Sequence, residues 1–377
     1  MHKQNNKGQA RLPELDGLRA ISVLLVITVH MHDRIWSWLN GWQGVTIFFV
    51  LSGYLITTLA LREESRTGSV NLRAFYIRRA MRLFPLYYLV LGIYCVLIFG
   101  LALNPEKQPM LEGALPFYLS YLQEVPYVYG VNGERANLPF YQSWSLGIEE
   151  KFYLVWPPVM FALLARARRF RIVAAVALVM IFAAIPGVRG WGALLHPYYH
   201  ILIGCLLALL LHDSRRLAQF AKPLSSGAVR VGIVVAFLAL HFAQPHLHAS
   251  TAHVTGLAYT LIVAALVALI VVHGGLLRKL LQLRVLAFLG TLSYGIYLVH
   301  VLALNVAERV FHPGSGRWIV SLSALLSACA ISIVVAYVLH VTIEQRLIDL
   351  GRRWSQRFAA GALRVGGAAQ TARLHQS

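Results

Sequence analysis

The chain has 377 residues, 58% of them hydrophobic and only 13% charged, with a mean hydropathy of +0.62. Soluble domains carry about 25% charged residues, so a soluble globular protein is excluded. The net charge of +19 would suit nucleic acid, but its placement along the chain argues against that partner.

Ten apolar segments are predicted to span a membrane: 17–36, 43–61, 84–103, 145–165, 172–187, 197–212, 227–243, 254–273, 286–306 and 318–342. Most reach the roughly 17–25 residues that a spanning helix needs, and the fifth, sixth and seventh are the shortest. With the N-terminus inside, 26 of the 34 Lys and Arg residues fall on the cytoplasmic side. Six fall outside, namely Arg34, Lys107, Arg135, Arg189, Arg309 and Arg317, while Arg19 and Lys151 lie within helices. This is the positive-inside bias, and deleting any short segment would invert the sidedness of every later loop. The basicity is therefore mainly topological. The expectation is an all-α polytopic membrane protein of the cytoplasmic (inner) membrane, with about ten helices and both termini cytoplasmic. Residues 12–345 form its membrane domain, and 346–377 a basic tail expected to be partly disordered. The polar start and the absence of a small-residue cleavage site argue against a removable signal peptide. Cys95, Cys205 and Cys329 all lie in apolar segments and read as small core residues.

The first helix carries Arg19 and His30, eleven residues apart. Eleven steps make almost three turns, so both side chains share one face, roughly 16 Å apart. Ionisable groups inside a span are costly and usually face the bundle interior. Arg19 also fits a snorkelling anchor. His30 lies beyond the midplane, where it needs a partner or a wet cavity, and it can serve as a general base or an acyl acceptor. His-Met-His at 30–32 is weak evidence for a metal, and no metal is expected. Before the third predicted helix come Arg78, Arg79 and Arg82, whose spacing places like charges side by side unless an anion bridges them. Arginine's planar fork suits phosphate, although a topology signal explains the same residues.

The longest external loop, 104–144, holds five prolines and a run of tyrosines that would suit a sugar or an interfacial aromatic belt. The next helix places Glu149, Phe152, Tyr153 and Trp156 on one face, with Ser145 one turn earlier. Glu149 is the expected buried carboxylate, and Glu150 is expected to pair with Lys151 or the interface. The ninth segment sets Ser293, Tyr297 and His300 in one polar stripe. Three ionisable groups at similar depth, His30, Glu149 and His300, point to a shared cavity. Tyr297 or Tyr153 is the candidate donor to an oxyanion.

Together these segments resemble the acyltransferase-3 family of integral membrane acyltransferases. The resemblance rests on Glu14-Leu15-Asp16-Gly17-Leu18-Arg19-Ala20, the Arg19–His30 pair, and Gly44 to Ile56. It also rests on the Arg78-Arg79…Arg82 cluster, Trp144-Ser145…Glu149…Phe152-Tyr153, and Ser293-Tyr294…Tyr297…His300. It implies an enzyme that moves an acyl group, most often acetyl from acetyl-CoA, onto hydroxyls of surface glycans, peptidoglycan, lipid-linked sugars or small metabolites. It marks Arg19, His30, Arg78, Arg79 and Arg82 as the activity-bearing residues, with the arginines holding acyl-CoA. His30 and Glu149 are then the catalytic pair, and Ser145, Tyr153, Tyr297 and His300 support the substrates. Some members of the family continue into an extracytoplasmic esterase-like domain. This chain ends about thirty residues past Glu344, so the expectation is the membrane domain alone, served by a separate extracytoplasmic partner or a small acceptor. The competing class is a proton-coupled exporter of a polar lipid-linked or glycosidic compound, with the same residues as a proton relay.

Overall fold

The first helix, α1 (Pro13–Val29), starts on a proline whose missing N–H falls where a helix has no use for one, with Glu14 and Asp16 in its first turn. The computed structural model describes residues 12–31, 33–131, 133–134, 138–187, 190–247, 252–313 and 317–357. His32, Arg135, Arg189, the polar first ten residues and the last twenty lie outside these. After α1 come α2 (Gln43–Thr67) and α3 (Leu72–Cys95), the latter extended by a π-helical turn to Gly100. Then follow α4 (Gln108–Leu119), α5 (Glu124–Tyr129), and α6 (Trp144–Pro158), which a π-helical turn extends to Leu163. The remainder is α7 (Arg171–Ala184), α8 (Trp191–Leu195), α9 (Tyr198–His212), α10 (Ser214–Leu224), α11 (Gly227–Ala243), α12 (Ala252–Val272), α13 (Leu276–Leu281), α14 (Arg284–Phe311) and α15 (Trp318–Leu339).

The protein is an all-α polytopic membrane protein. Among the described residues, 7 helical stretches are long and apolar enough to cross a membrane: 34–67, 72–100, 191–212, 227–246, 254–272, 284–311 and 318–357. The other three predicted segments are helical as well. They fall short because α1 carries Glu14, Asp16 and Arg19 in 17 residues, α6 carries Glu149, Glu150 and Lys151 in 15, and α7 has only 14. In α1 and α6 the residues that lower the hydropathy are the ones that build the polar interior.

Helix α1 packs between α2 and α14, α2 lies along α9, and α14 lies along α15. The α2–α9 crossing depends on two glycines. A Cβ on Gly53 would run into the carbonyl of Ile201, and one on Gly204 into that of Val50, so only hydrogen at both positions allows the backbones to meet. At Gly290 the backbone of α14 comes equally close to the carbonyl of Asp16 in α1. Buried Glu14 secures the charge-rich end of α1, with Arg278 and Gln282 each 2.9 Å from its carboxylate.

Within the predicted loop 104–144, α4 and α5 form a cap on the end of α3 away from the charge-rich face. Tyr118 and Phe140 are fully buried there beside Tyr87 and Tyr94. The Tyr87 hydroxyl donates to the Tyr118 carbonyl (2.9 Å), and the Tyr118 hydroxyl to that of Pro139 (2.7 Å). Much of the tyrosine run is thus aromatic core rather than a sugar platform. The first part of the tail continues the last helix through Arg357, and its remainder lies outside the described residues. In the helical part the small Gly351 lies against Met81 of α3, where lost solvent exposure offsets the ordering entropy.

Composition gave no hint of one buried ion pair at the charge-rich end. Arg171 at the start of α7 grips Glu64 of α2 with both guanidinium forks, at 2.7 and 2.8 Å, and Arg168 adds a third contact at 3.3 Å. Arg171→Ala leaves that carboxylate buried without its main partner. The expected cost is about 3–5 kcal/mol, read as a lower thermal midpoint in detergent, and an unchanged midpoint would refute it.

Candidate active site

His30 is the residue on which α1 ends, so its ring leaves the helix at the charge-poor face. Its Nδ1 lies 2.7 Å from the carbonyl of Val26. A carbonyl can only accept, so this nitrogen carries the proton. His300 of α14 repeats the arrangement, with Nδ1 2.6 Å from the Tyr297 carbonyl. Its Nε2 is then a lone pair in the neutral ring, and it faces the His30 Nδ1 at 3.3 Å. The His30 proton on Nδ1 is therefore shared between Val26 and His300. The remaining nitrogen, His30 Nε2, is buried and has no hydrogen-bond partner among the described residues. Two backbone carbonyls thus select the tautomer that leaves one basic, nucleophilic nitrogen free. The two imidazoles meet edge to face with centroids 4.7 Å apart, and Tyr141 and Trp42 close in at 5.4 and 6.1 Å.

The His30 ring lines a cavity of about 440 Å³. Tyr94, Phe140 and Tyr141 form its aromatic wall, and Asn104, Lys107, Asn305 and Arg309 its polar one. This is the size range of small-molecule sites, about 300–1,000 Å³.

A second polar group gathers around Arg19, nearer the charge-rich face. The Arg79 guanidinium stacks on the ring of Tyr153, 3.6 Å from its centroid, and the Tyr153 hydroxyl donates to Glu149 Oε2 at 2.9 Å. Glu149 interacts electrostatically with Arg79 and Arg19. Arg82 lies in the field of Arg19 and Arg79 and of Glu344 and Asp16. The Arg79 Nε is buried without an acceptor. Arg78 is not part of this group. It turns away to Glu63, 3.1 Å distant, which also accepts from the backbone N–H of Asn71.

The expected shared cavity is thus resolved into two levels. His30 and His300 meet, whereas Glu149 sits deeper among arginines, because α6 enters from the charge-poor face and reaches Glu149 more than a turn inside. Ser145 and Tyr297 join the levels: the Ser145 hydroxyl lies 2.7 Å from that of Tyr297, which donates to the Gln142 carbonyl at 2.5 Å. Tyr297 also feels the charge of Glu149. Both candidate oxyanion donors are committed, Tyr297 to Gln142 and Tyr153 to Glu149. Ser293 bonds back to the Gly290 carbonyl of its own helix (2.8 Å) and serves the helix rather than the site. Lys151 forms its ion pair with Glu124 of α5 at 2.7 Å, while Glu150 interacts electrostatically with both Lys151 and Arg79. Tyr141 and Asn305 also line the cavity, although the sequence pattern did not single them out. Asn305 and Arg309 lie on α14 beyond His300 but at five and nine residues' distance, off the face that carries it, so helical spacing from His300 does not point to them.

The all-α membrane bundle thus sets a free imidazole nitrogen at a cavity, with Arg19 of the same helix beside the arginines of α3. The chain belongs to the acyltransferase domain family, Acyl_transf_3, whose model matches residues 12–341. It is 32% identical over 332 residues to YrhL of Bacillus subtilis, provisionally named a peptidoglycan O-acetyltransferase, covering 81% of this chain and 50% of that protein. It is 30% identical over 355 residues to the peptidoglycan O-acetyltransferase OatA of Listeria monocytogenes, covering 86% and 55% respectively. The chain therefore spans about half the length of the curated relatives it matches. No solved structure matches it.

The Ser145–Tyr297 link can be measured. Tyr297→Phe strands the buried Gln142 carbonyl and the Ser145 hydroxyl and should cost about 1–3 kcal/mol. Ser145→Ala and Tyr297→Phe combined should cost less than the sum of the two in a thermal-melt cycle; strict additivity would break the link.

Proposed function

We propose that this chain is an O-acyltransferase of the cytoplasmic membrane. It passes an acyl group, acetyl in the first instance, from cytoplasmic acyl-CoA to a hydroxyl on a glycan, a lipid-linked sugar or a small metabolite at the outer face. The observation that carries the reading is the free Nε2 of His30, beside a cavity and on the same helix as Arg19. The peptidoglycan O-acetyltransferase names of the relatives support a glycan hydroxyl as acceptor.

In this reading the CoA phosphates dock on Arg19, Arg79 and Arg82, none of which forms an ion pair among the described residues. Glu149 and Tyr153 hold Arg79 in place rather than touching the histidines. The pantetheine arm brings the thioester toward His30. Nε2 takes the proton of the acceptor hydroxyl as its oxygen attacks the thioester carbonyl. The C–O bond forms, the C–S bond breaks, and the departing thiolate takes up a proton, so acyl–S–CoA and RO–H become RO–acyl and HS–CoA. The imidazolium that forms keeps its Nδ1 proton on Val26 and His300, which spread its charge. In the two-step variant Nε2 attacks first and carries the acyl group as an acyl-imidazole before the hydroxyl takes it.

Purified protein given labelled acetyl-CoA and a glycan acceptor tests this. His30→Ala should lower transfer by about 10²–10⁴-fold with folding intact, and normal CoA release from that variant would sink the role. Arg79→Ala and Arg82→Ala should raise KM for acyl-CoA, while Arg78→Ala, whose partner is Glu63, should not. Export of a polar solute with no donor consumed would favour the transporter instead.

A further inference from the structure

Lys107 and Arg309 are two of the six cations assigned to the face that holds few, against 26 on the other, and both line the cavity beside His30. Cations on that face run against the bias that orients the whole chain. Neither forms an ion pair among the described residues. Arg309 donates one N–H to the Asn104 side chain at 2.8 Å, which fixes the guanidinium at the rim and leaves its other donors uncommitted. No Asp or Glu among the described residues lines the cavity. The acidic group within reach, Glu308, interacts electrostatically with Tyr141 but is not part of the wall. A neutral sugar would be served by Asn104 and Asn305 alone. Two cations with no ion-pair partner among the described residues at the mouth of a site suit an anion, and a guanidinium suits a carboxylate or a phosphate in particular.

We infer that this cavity selects acceptors that carry an anionic group, a carboxylate or a phosphate, held by Lys107 and Arg309 while the hydroxyl to be acylated reaches His30. The inference rests on the cavity being the acceptor site of the proposed transferase. The anion anchors the acceptor at the rim and the aromatic wall of Tyr94 and Tyr141 flanks the ring. A loose hydroxyl is thereby turned into a positioned one, which is where such sites gain rate.

The test uses the full chain in nanodiscs of zwitterionic lipid, so that headgroup charge does not compete. Binding of methyl glucoside, methyl glucuronide and methyl glucoside 6-phosphate is measured by titration calorimetry with no acyl donor present. The expected result is at least tenfold tighter binding of a charged glycoside than of the neutral one. The better of the two charged probes identifies carboxylate or phosphate as the source. In Lys107→Gln/Arg309→Gln the charged glycosides should fall to the affinity of the neutral one. Each single variant should lose part of the preference, and Lys107→Arg should keep it. Equal binding of charged and neutral glycosides, binding of none, or a preference that survives the double substitution would overturn the inference; the last would make both residues lipid-headgroup anchors. A parallel assay with acetyl-CoA separates the two readings. Charge-selective binding without any acyl transfer would remove the transferase and leave the anion site standing.

Discussion

Everything in this molecule turns on one helix that carries ionisable groups through an apolar medium. Helix α1 holds Arg19 and His30 on one face, and hydrocarbon offers neither of them a partner. The surrounding bundle therefore supplies it: α2 and α14 flank α1, and glycine-mediated backbone approach lets them come close enough to do so. At Gly290 the main chains of α1 and α14 nearly touch, and farther along the same pair His300 reaches His30. A helix too charged to count as an isolated membrane span is thus enclosed by its neighbours.

Competition for partners then sorts the charged residues into jobs. Arg78, Arg171 and Lys151 each find a carboxylate, Glu63, Glu64 and Glu124, and become fastenings between helices or between a helix and the α4–α5 cap. Arg19 and Arg79 face Glu149 instead, and Arg82 lies in the field of Glu344 and Asp16, none of the three closing an ion pair among the described residues. Arg78 and Arg79 are neighbours in the chain and differ by about 100° around the helix, enough to send one to a structural pair and the other to the interior. The same economy governs hydroxyls. Tyr153 and Tyr297 have partners that hold their protons, whereas the second nitrogen of His30 has none.

The cap formed by α4 and α5 shows how aromatic residues can both build and line a site. Tyr87, Tyr118 and Phe140 pack against one another and bond to local carbonyls, which makes α4 and α5 a firm lid on α3. Tyr94, Phe140 and Tyr141 remain at its edge as the wall of the cavity. Lys107 comes from the turn that opens α4, and Arg309 from the last turn of α14, so the two cations meet only because the cap lies over that helix end.

By itself the sequence determined the all-α membrane class, the positions of the apolar segments, the Arg19–His30 face and the family motifs. These are one-dimensional properties: hydropathy over a window, charge per loop, and the 3.6-residue repeat along a single helix. It also singled out His300, Glu149, Tyr153 and Tyr297 as polar residues on apolar helices, because such residues stand out against their neighbours. Only the tertiary structure decided which of them meet. It separated Glu149 from the histidines, withdrew Arg78 from the arginine cluster, paired Lys151 with Glu124, and continued the last helix to Arg357. The physical reason is that a contact between helices depends on crossing geometry and on competition among several partners within reach. A depth estimated from one helix cannot show which neighbour a side chain will find.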